Sequence, residues 1–422
     1  MTRVTPRALP AALGALMLAA LVAVAIALPD ASLGQKREAT TTLFSRTPDG
    51  RTPNGPSTNP HISADLRYSQ IIAYESEASD LVSADTNGLK DVFAVRRAGS
   101  FADTGSEWQP GKTQLVSRSA SGKPANGPSY DATTDGSAKH RARCVAFLSD
   151  ASNLVSGDTN GQTDAFLAKA PSFVPKRVSL PKNKQSSEDT THVAVSGDCS
   201  QVAFVSGGGL HVRSGKSTKR IDVKGAEADP SYDTGDTTSL VFGASGGVYL
   251  LAEDARKPAR VAKGGRNPGY INRRRQGKTL RLVIYEIDRG GFSQIGLRSI
   301  GGGERIVSSW DGDVGNGDSR EPSIFNAGFN AAFVSDASNL PIKSSGALGD
   351  RNGLRDAYFW SGSPNVPRPV TILESVDSDT TPLRAGSEHV STSYYRNYVV
   401  FDSAASDAGG VPQVWLRYLG GI

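Results

Sequence analysis

The chain is poor in cysteine and methionine, has no concentrated block of one charge, and carries a single long apolar run. Two cysteines in 422 residues exclude a disulfide-dense scaffold, and a chain of this length can bury a core that needs no such staple. Cys144 and Cys199 can pair in an oxidising compartment or stay as buried thiols, and the sequence leaves both open. The two methionines argue against a helical protein of this size, which would draw more heavily on Leu, Met, Glu and Lys. The formal charge is only +5, part of it from Arg3 and Arg7, and basic and acidic residues are interspersed along most of the chain. Nucleic-acid binding, which concentrates cations in a stripe, is therefore not expected.

The one apolar run, Ala8 to Leu28, follows Arg3 and Arg7 and gives way to Pro29-Asp30-Ala31-Ser32. A positive start, an apolar middle and small residues such as Ala25-Ile26-Ala27 predict an export signal over residues 1–31. Uncleaved, a run of about 20 residues is also long enough to anchor the chain in a bilayer. Residues 32–40 read as a linker. The remainder is expected outside the cytoplasm, at the cell surface, in the periplasm or in the medium, with membrane contact only through that first segment.

Glycine and proline are plentiful, at 46 and 23 residues, as expected for many short strands joined by turns. The strands repeat. Ala78-Ser-Asp-Leu-Val-Ser-Ala-Asp85-Thr-Asn87-Gly88-Leu-Lys-Asp91-Val-Phe93 matches the run from Ala151 through Asp158, Asn160 and Asp164 to Phe166. A third copy begins at Ser335 and, after an insertion, resumes through Asp350, Asn352 and Asp356 to Tyr358. A short apolar strand precedes each copy, as at Ile71–Tyr74 and Cys144–Phe147, and fainter versions bring the total to seven. Seven copies of a further strand, among them Thr42–Ser45, Gln114–Ser117 and Val370–Leu373, recur about 40 to about 70 residues apart, near the period of four-stranded propeller blades. The chain opens with a copy of that outermost strand at Thr42–Ser45 and ends on a third strand, Val414–Leu416. Pairing the two closes a ring and removes two open edges. The expectation is an all-β propeller over residues 41–422 with seven blades, or six if one faint unit between Ser196 and Ile300 is not a full blade.

These motifs resemble the TolB-like, WD-repeat-like family of propeller repeats, most closely at Ser63–Val95 and Arg143–Leu167. The resemblance implies a ring of four-stranded blades in an exported, usually bacterial, protein, and no particular activity. TolB carries a further domain ahead of its propeller for which residues 32–40 leave no room, so a TolB-type role in an envelope complex does not transfer.

Candidate chemistry is sparse. Asp85/Asn87/Asp91, Asp158/Asn160/Asp164 and Asp350/Asn352/Asp356 alternate oxygen side chains in the manner Ca²⁺ uses, and Ca²⁺ is the one cofactor the pattern suggests. The loops lack the further oxygens, the sixth-place glycine and the distant glutamate of an EF-type site, so the favoured reading is an Asn-Gly turn with capping aspartates. Gly243-Ala-Ser245-Gly-Gly247 has the spacing of a nucleophile elbow, but a strand follows it where an elbow needs a helix. His61, His192 and His389 fall on expected innermost strands facing the channel, and Asp65, Asp131, Asp198 and Asp233 lie on or near those strands and their turns. Arg273-Arg-Arg275 with Lys278 is placed in the inner-strand loop of the fifth unit. No catalytic set is recognisable. The expected function is a non-catalytic binding scaffold that takes a protein, peptide or glycan at one mouth of the ring. A propeller-type glycan hydrolase or lyase is the alternative, and a structural envelope protein the third reading.

Overall fold

A computed structural model describes residues 39–419 apart from 66–68, 99–107, 180–186, 224, 226–228, 236, 276–277, 326–329, 342–351, 363–369, 374, 377–382, 394–397 and 406–408. The expected export signal and most of the expected linker lie outside the described residues. No helix occurs among those described.

Seven four-stranded antiparallel sheets follow one another along the chain, each numbered here from its innermost strand outward. Blade 1 comprises Ser57–Ile62, Ile71–Ser76, Asp91–Arg97 and Pro110–Leu115; blade 2 comprises Ser129–Thr134, Cys144–Ser149, Asp164–Lys169 and Val174–Arg177. Blade 3 is built from Thr190–Val195, Gln201–Ser206, Gly209–Ser214 and Ser217–Ile221; blade 4 from Ser231–Tyr232, Leu240–Ala244, Gly247–Leu251 and Ala259–Lys263. Blade 5 has Arg266–Arg275, Lys278–Arg289, Phe292–Ser299 and Glu304–Ile306; blade 6 has Ser319–Ile324, Asn330–Ser335, Asp356–Ser361 and Val370–Leu373. Blade 7 joins Val390–Thr392, Tyr398–Ser403 and Gln413–Tyr418 to Thr40–Leu43 from the other end of the chain. Blades 3, 4 and 5 cover the faint units between Ser196 and Ile300, so the molecule is a seven-bladed β-propeller and not a six-bladed one.

The strands are apolar on both faces because each blade is covered on both sides. In Ile71–Ser76, Ile71 and Ala73 join a buried cluster with Phe147 and Phe166 of blade 2, while Ile72 and Tyr74 join one with Val400 and Leu416 of blade 7. Seven such clusters fill the seven gaps between consecutive blades. Each large side chain so buried contributes roughly 1.5–3 kcal/mol of transfer free energy.

Two halves of the sequence repeat turn out to grip each other. Asn126 Nδ2 donates to Ser152 Oγ at 3.0 Å, its Oδ1 accepts Ser152 N at 2.9 Å, and Ser129 and Ser149 pair their hydroxyls at 2.8 Å. Asn54 with Ser79 and Asn316 with Ser338 repeat the arrangement in blades 1 and 6. The glycine after each asparagine is required by crowding: a Cβ on Gly55, Gly127 or Gly317 would stand 2.7–2.9 Å from the opposing backbone.

The outermost strands lie a few residues earlier than the sequence copies suggest in blades 1 to 3. Pro110–Leu115 ends before Val116-Ser117, because Ser117 leaves the ladder: its hydroxyl donates to Asp91 Oδ1 at 2.5 Å and accepts Val92 N at 3.0 Å. Ser179 and Ser375 hold Asp164 and Asp356 in the same way. Ring closure reuses this latch. Thr40 to Leu43 pair with Tyr418 to Trp415, Ser45 Oγ donates to Gln413 Oε1 at 2.7 Å, and Val414 N donates to Ser45 Oγ at 3.0 Å. Cys144 of blade 2 and Cys199 of blade 3, with Cα atoms 6.1 Å apart, are joined as a disulfide.

Arg273 to Arg275 and Lys278 do not form a loop, contrary to the expectation. They continue the first two strands of blade 5 as a ladder, Arg273 opposite Leu280 and Arg275 opposite Lys278, because Lys278–Arg289 runs on past the third strand.

Candidate functional site at the central channel

Innermost strands line the ring axis, and an irregularity in most of them turns a polar residue inward. In blades 1, 2, 5 and 6 the ladder to the second strand slips by a bulge. The residues set free are Asn59, Asp131, Asn267 and Glu321, with φ of 49°, 52°, 46° and 54°. Asn and Asp tolerate this left-handed conformation better than other side-chain-bearing residues, and holding a non-glycine residue there costs about 1–3 kcal/mol. Blade 3 slips between Thr190 and His192. Asp229 and His389 stand just ahead of the short inner strands of blades 4 and 7. The result is one residue per blade, Asn59, Asp131, His192, Asp229, Asn267, Glu321 and His389, all lining one cavity of about 450 Å³. That cavity runs on to Ala64, Gly136, Gly197 and Thr234, at the turns that follow the innermost strands.

Behind this ring, buried carboxylates on second strands tie consecutive blades together. Glu75 accepts Asn59 Nδ2 of its own blade at 2.7 Å and Asp131 N of the next at 2.7 Å. Glu286 accepts Asn267 Nδ2 at 3.1 Å and Glu321 N at 3.0 Å. Asp402 accepts His389 Nδ1 at 2.6 Å and, across the ring closure, Asn59 N at 3.0 Å. Lys90 and Arg266 reach the far oxygens of Glu75 and Glu286 at 3.5 and 3.0 Å.

The electrostatics follow from burial and from these partners. Burial pushes the Asp131 carboxyl up to about 7; the neighbouring His192 opposes the rise, while Glu75 and Asp229 reinforce it. His192 is raised by its hydrogen bond to Asp229, Nε2 to Oδ1 at 2.9 Å, against the cost of burial. Burial also disfavours charge on His389, but the bond and charge of Asp402 overcome it and push the imidazole up to about 9. Asp402 is lowered correspondingly: burial would raise it, and His389 outweighs burial. Glu321 is raised by burial, opposed by His389 and reinforced by Glu286 and Asp229. The channel therefore holds an acid-rich ring with a cationic imidazole, His389, a second imidazole, His192, whose charged form Asp229 favours, and a carboxyl, Asp131, poised between its protonated and ionised forms near neutral pH.

His61, His192 and His389 all face this cavity, as the sequence suggested, yet they do not converge. His61 Nδ1 pairs with Thr134 Oγ1 of blade 2 at 2.9 Å, and burial drops its pKa to about 4, leaving it neutral. Among the described residues, the one set of three His, Cys, Asp or Glu ligand atoms within 4.8 Å of each other is Asp135 with the disulfide sulfurs of Cys144 and Cys199. Of the four inner-strand aspartates, only Asp131 belongs to the ring. Asp65, Asp198 and Asp233 brace the turns after their strands, Asp65 by accepting Gln70 N at 2.8 Å, Asp198 by accepting Ser200 N at 3.0 Å and Asp233 by accepting Gly235 N at 2.8 Å.

The Asp-x-Asn-Gly loops lie away from the cavity, between second and third strands. Asn87 Nδ2 donates to Asp91 Oδ2 at 2.6 Å and its Oδ1 accepts Leu89 N at 3.0 Å. Asn160 with Asp164 and Asn352 with Asp356 form the same contact at 3.2 and 3.1 Å. Asp85 and Asp158 are buried, the latter paired to Arg177, and Asp350 lies outside the described residues. Gly243 to Gly247 is the hairpin between the second and third strands of blade 4, with Gly246 and Gly247 at positive φ.

Four of the ring residues carry a signal that the repeat pattern hid: Asn59-Pro60, Asp229-Pro230, Asn267-Pro268 and Glu321-Pro322. Proline cannot donate to a ladder and is confined within sheets to edges, strand starts and bulges, so a polar residue followed by proline marks the inward bulge in blades 1, 5 and 6 and the strand start in blade 4.

No family model matches the chain, and no curated protein matches it. Similar solved structures include the Trypanosoma rangeli sialidase (12% identity, TM-score 0.38), over 91% of this chain and 58% of that one. A TolB protein of Agrobacterium tumefaciens (10% identity, TM-score 0.38) is matched over 73% of this chain and 94% of its own. The C-terminal WD40 domain of Sif2 (11% identity, TM-score 0.45) is matched over 90% and 100%. The chain spans little more than half the length of the sialidase.

Proposed function

We propose that this seven-bladed propeller is an exported, non-catalytic binding scaffold whose channel ring receives a cationic group, an amino terminus or a basic side chain, of a protein or peptide held at the mouth. The observation that carries the reading is the ring itself. Seven polar residues, one from each blade, face a single cavity, and three of them, Asp131, Asp229 and Glu321, are carboxylates. A cationic group bound there meets the carboxylates of three blades in a partly desolvated site, where a charge-assisted bond is strongest.

The test is a pull-down from envelope extracts with the full chain and with an Asp131→Asn, Asp229→Asn, Glu321→Gln variant of unchanged thermal unfolding. A partner kept by the native ring and lost from the variant supports the reading; equal retention, or no partner, opposes it. Affinity for such a ligand should rise from pH 6 to pH 8 as Asp131, at about 7, gives up its proton, and Asp131→Asn should flatten that rise.

The alternative, hydrolysis of a glycan, draws support from one feature: Asp131 holds a proton to about 7 near the carboxylates Glu75 and Asp229, a division of acid and base roles that glycosidases employ. Reducing-sugar release from envelope glycans, abolished by Asp131→Asn, would favour that alternative over simple binding.

A further inference from the structure

The Asp-x-Asn-Gly loops of blades 1 and 2 share one plan and differ at one point. In blade 2, Arg177 Nη1 lies 2.8 Å from Asp158 Oδ1 and 3.1 Å from Asp164 Oδ2, with all three side chains at most 9% exposed. Arg177 is the ladder partner of Phe166; the corresponding partner of Phe93 in blade 1 is Leu115. Blade 1 thus keeps the carboxylate pair, Asp85 and Asp91, and places an apolar side chain where blade 2 supplies a cation. Asp85 is 5% exposed, and its Oδ1, the counterpart of the Asp158 atom that receives Arg177, has no hydrogen-bond partner. Two buried carboxylates without a counter-charge are unfavourable.

We propose that blade 1 binds a hard cation, Ca²⁺ by its ligand chemistry, between Asp85 Oδ1 and Asp91 Oδ2, in the position that the Arg177 guanidinium fills in blade 2. Oxygen donors of this kind suit Ca²⁺, and water completes its shell. Asp91 Oδ2 also accepts Asn87 Nδ2 at 2.6 Å, which is no obstacle, since Asp164 Oδ2 accepts both Asn160 Nδ2 and Arg177. Arginine in one blade and a metal in the next are two solutions to the same buried charge. The site is independent of the channel ring and of what the channel binds.

Calorimetric titration of the full chain with calcium chloride, alongside thermal unfolding with and without calcium, tests it. Asp85→Asn should lose one equivalent of bound calcium relative to the native chain. Leu115→Arg, which keeps both carboxylates and supplies the missing cation, should lose the same equivalent, and the stabilisation that blade 1 draws from calcium should go with it. Arg177→Leu should gain one equivalent by vacating the blade 2 position. A native chain that takes up no calcium at millimolar concentration, or an unchanged number of equivalents in Asp85→Asn or Leu115→Arg, overturns the proposal.

Discussion

Asp402 makes two kinds of contact with one side chain, one to backbone N–H groups and one to an imidazole. Its Oδ1 accepts the backbone N–H groups of Glu388 and His389 at 3.0 Å each, and its Oδ2 accepts His389 Nδ1 and Asn59 N. The folded pKa of His389, at about 9, exceeds its ordinary 6.5. The imidazolium therefore stabilises the fold fully below about pH 6.5, and that contribution disappears as pH rises through about 9. Asp402 has the opposite sign: its pKa is depressed, so its contribution is present above its ordinary 3.8 and fades as pH falls below it. The pair is strongest from weakly acidic to neutral pH. Asp402→Asn should bring His389 back toward its ordinary titration, read by imidazole NMR, and should remove most of the decline in melting temperature between pH 7 and pH 9. An unchanged decline would show that other groups set it. In the sequence Asp402 follows Phe401 inside a second strand as Glu75 follows Tyr74 and Glu286 follows Tyr285, where blades 2 and 6 have an apolar residue, but only its placement behind the ring gives it this role.

At the scale of the element, the repeat is a mechanical device. The Asn-Gly-Pro-Ser turn and the Ala-Ser-Asn run, more than twenty residues apart, clasp each other through a side chain that bonds in both directions. The glycine between them fills no left-handed role; it is there because Gly127 approaches the Asp150 carbonyl too closely for a Cβ, which would stand 2.8 Å from it. Gly127→Ala should thus destabilise the chain by about 1–3 kcal/mol in urea unfolding, the usual cost of overpacking. The contrast is Gly161, which has φ of 66° and open space for 4 Å around the place a Cβ would take, so its replacement by alanine carries only the conformational cost of about 1–2 kcal/mol. A Gly127→Ala chain as stable as the native one would show that the clasp can open without loss. The sequence displayed both halves of this device as repeats, but not that they touch, because the contact lies across a strand hairpin. For the same reason Ser117 and its counterparts read as strand residues when they are latches.

For the whole molecule, closure is the decisive event. Thr40–Leu43 completes blade 7 from the opposite end of the chain, and Ser45 repeats with Gln413 the latch that other blades form locally. Cutting this contact leaves an open third strand in blade 7 and exposes the clusters on either side of it. Deletion of residues 41–47 should lower the temperature of cooperative unfolding of the entire propeller, with no independent transition left for blades 2 to 5. Unchanged thermal unfolding would sink the closure account. Ser45→Ala, which removes one latch and keeps the strand, should cost about 1–3 kcal/mol by leaving Val414 N and Gln413 without their partner.

Blade strands could be read directly because apolar alternation and turn residues are local properties of the chain. Their number, and the pairing of the first strand with the last, followed from counting copies and their order. What no local pattern could supply is the channel ring. Asn59, Asp131, His192, Asp229, Asn267, Glu321 and His389 are dissimilar residues spread over more than three hundred positions, and bulges, rather than regular alternation, turn most of them inward. Their shared neighbourhood, their altered protonation and the carboxylates that staple them to adjacent blades exist only once the ring has closed. Side-chain direction in a strand is set by neighbouring residues, whereas the convergence of seven strands on an axis is set by the packing of whole blades.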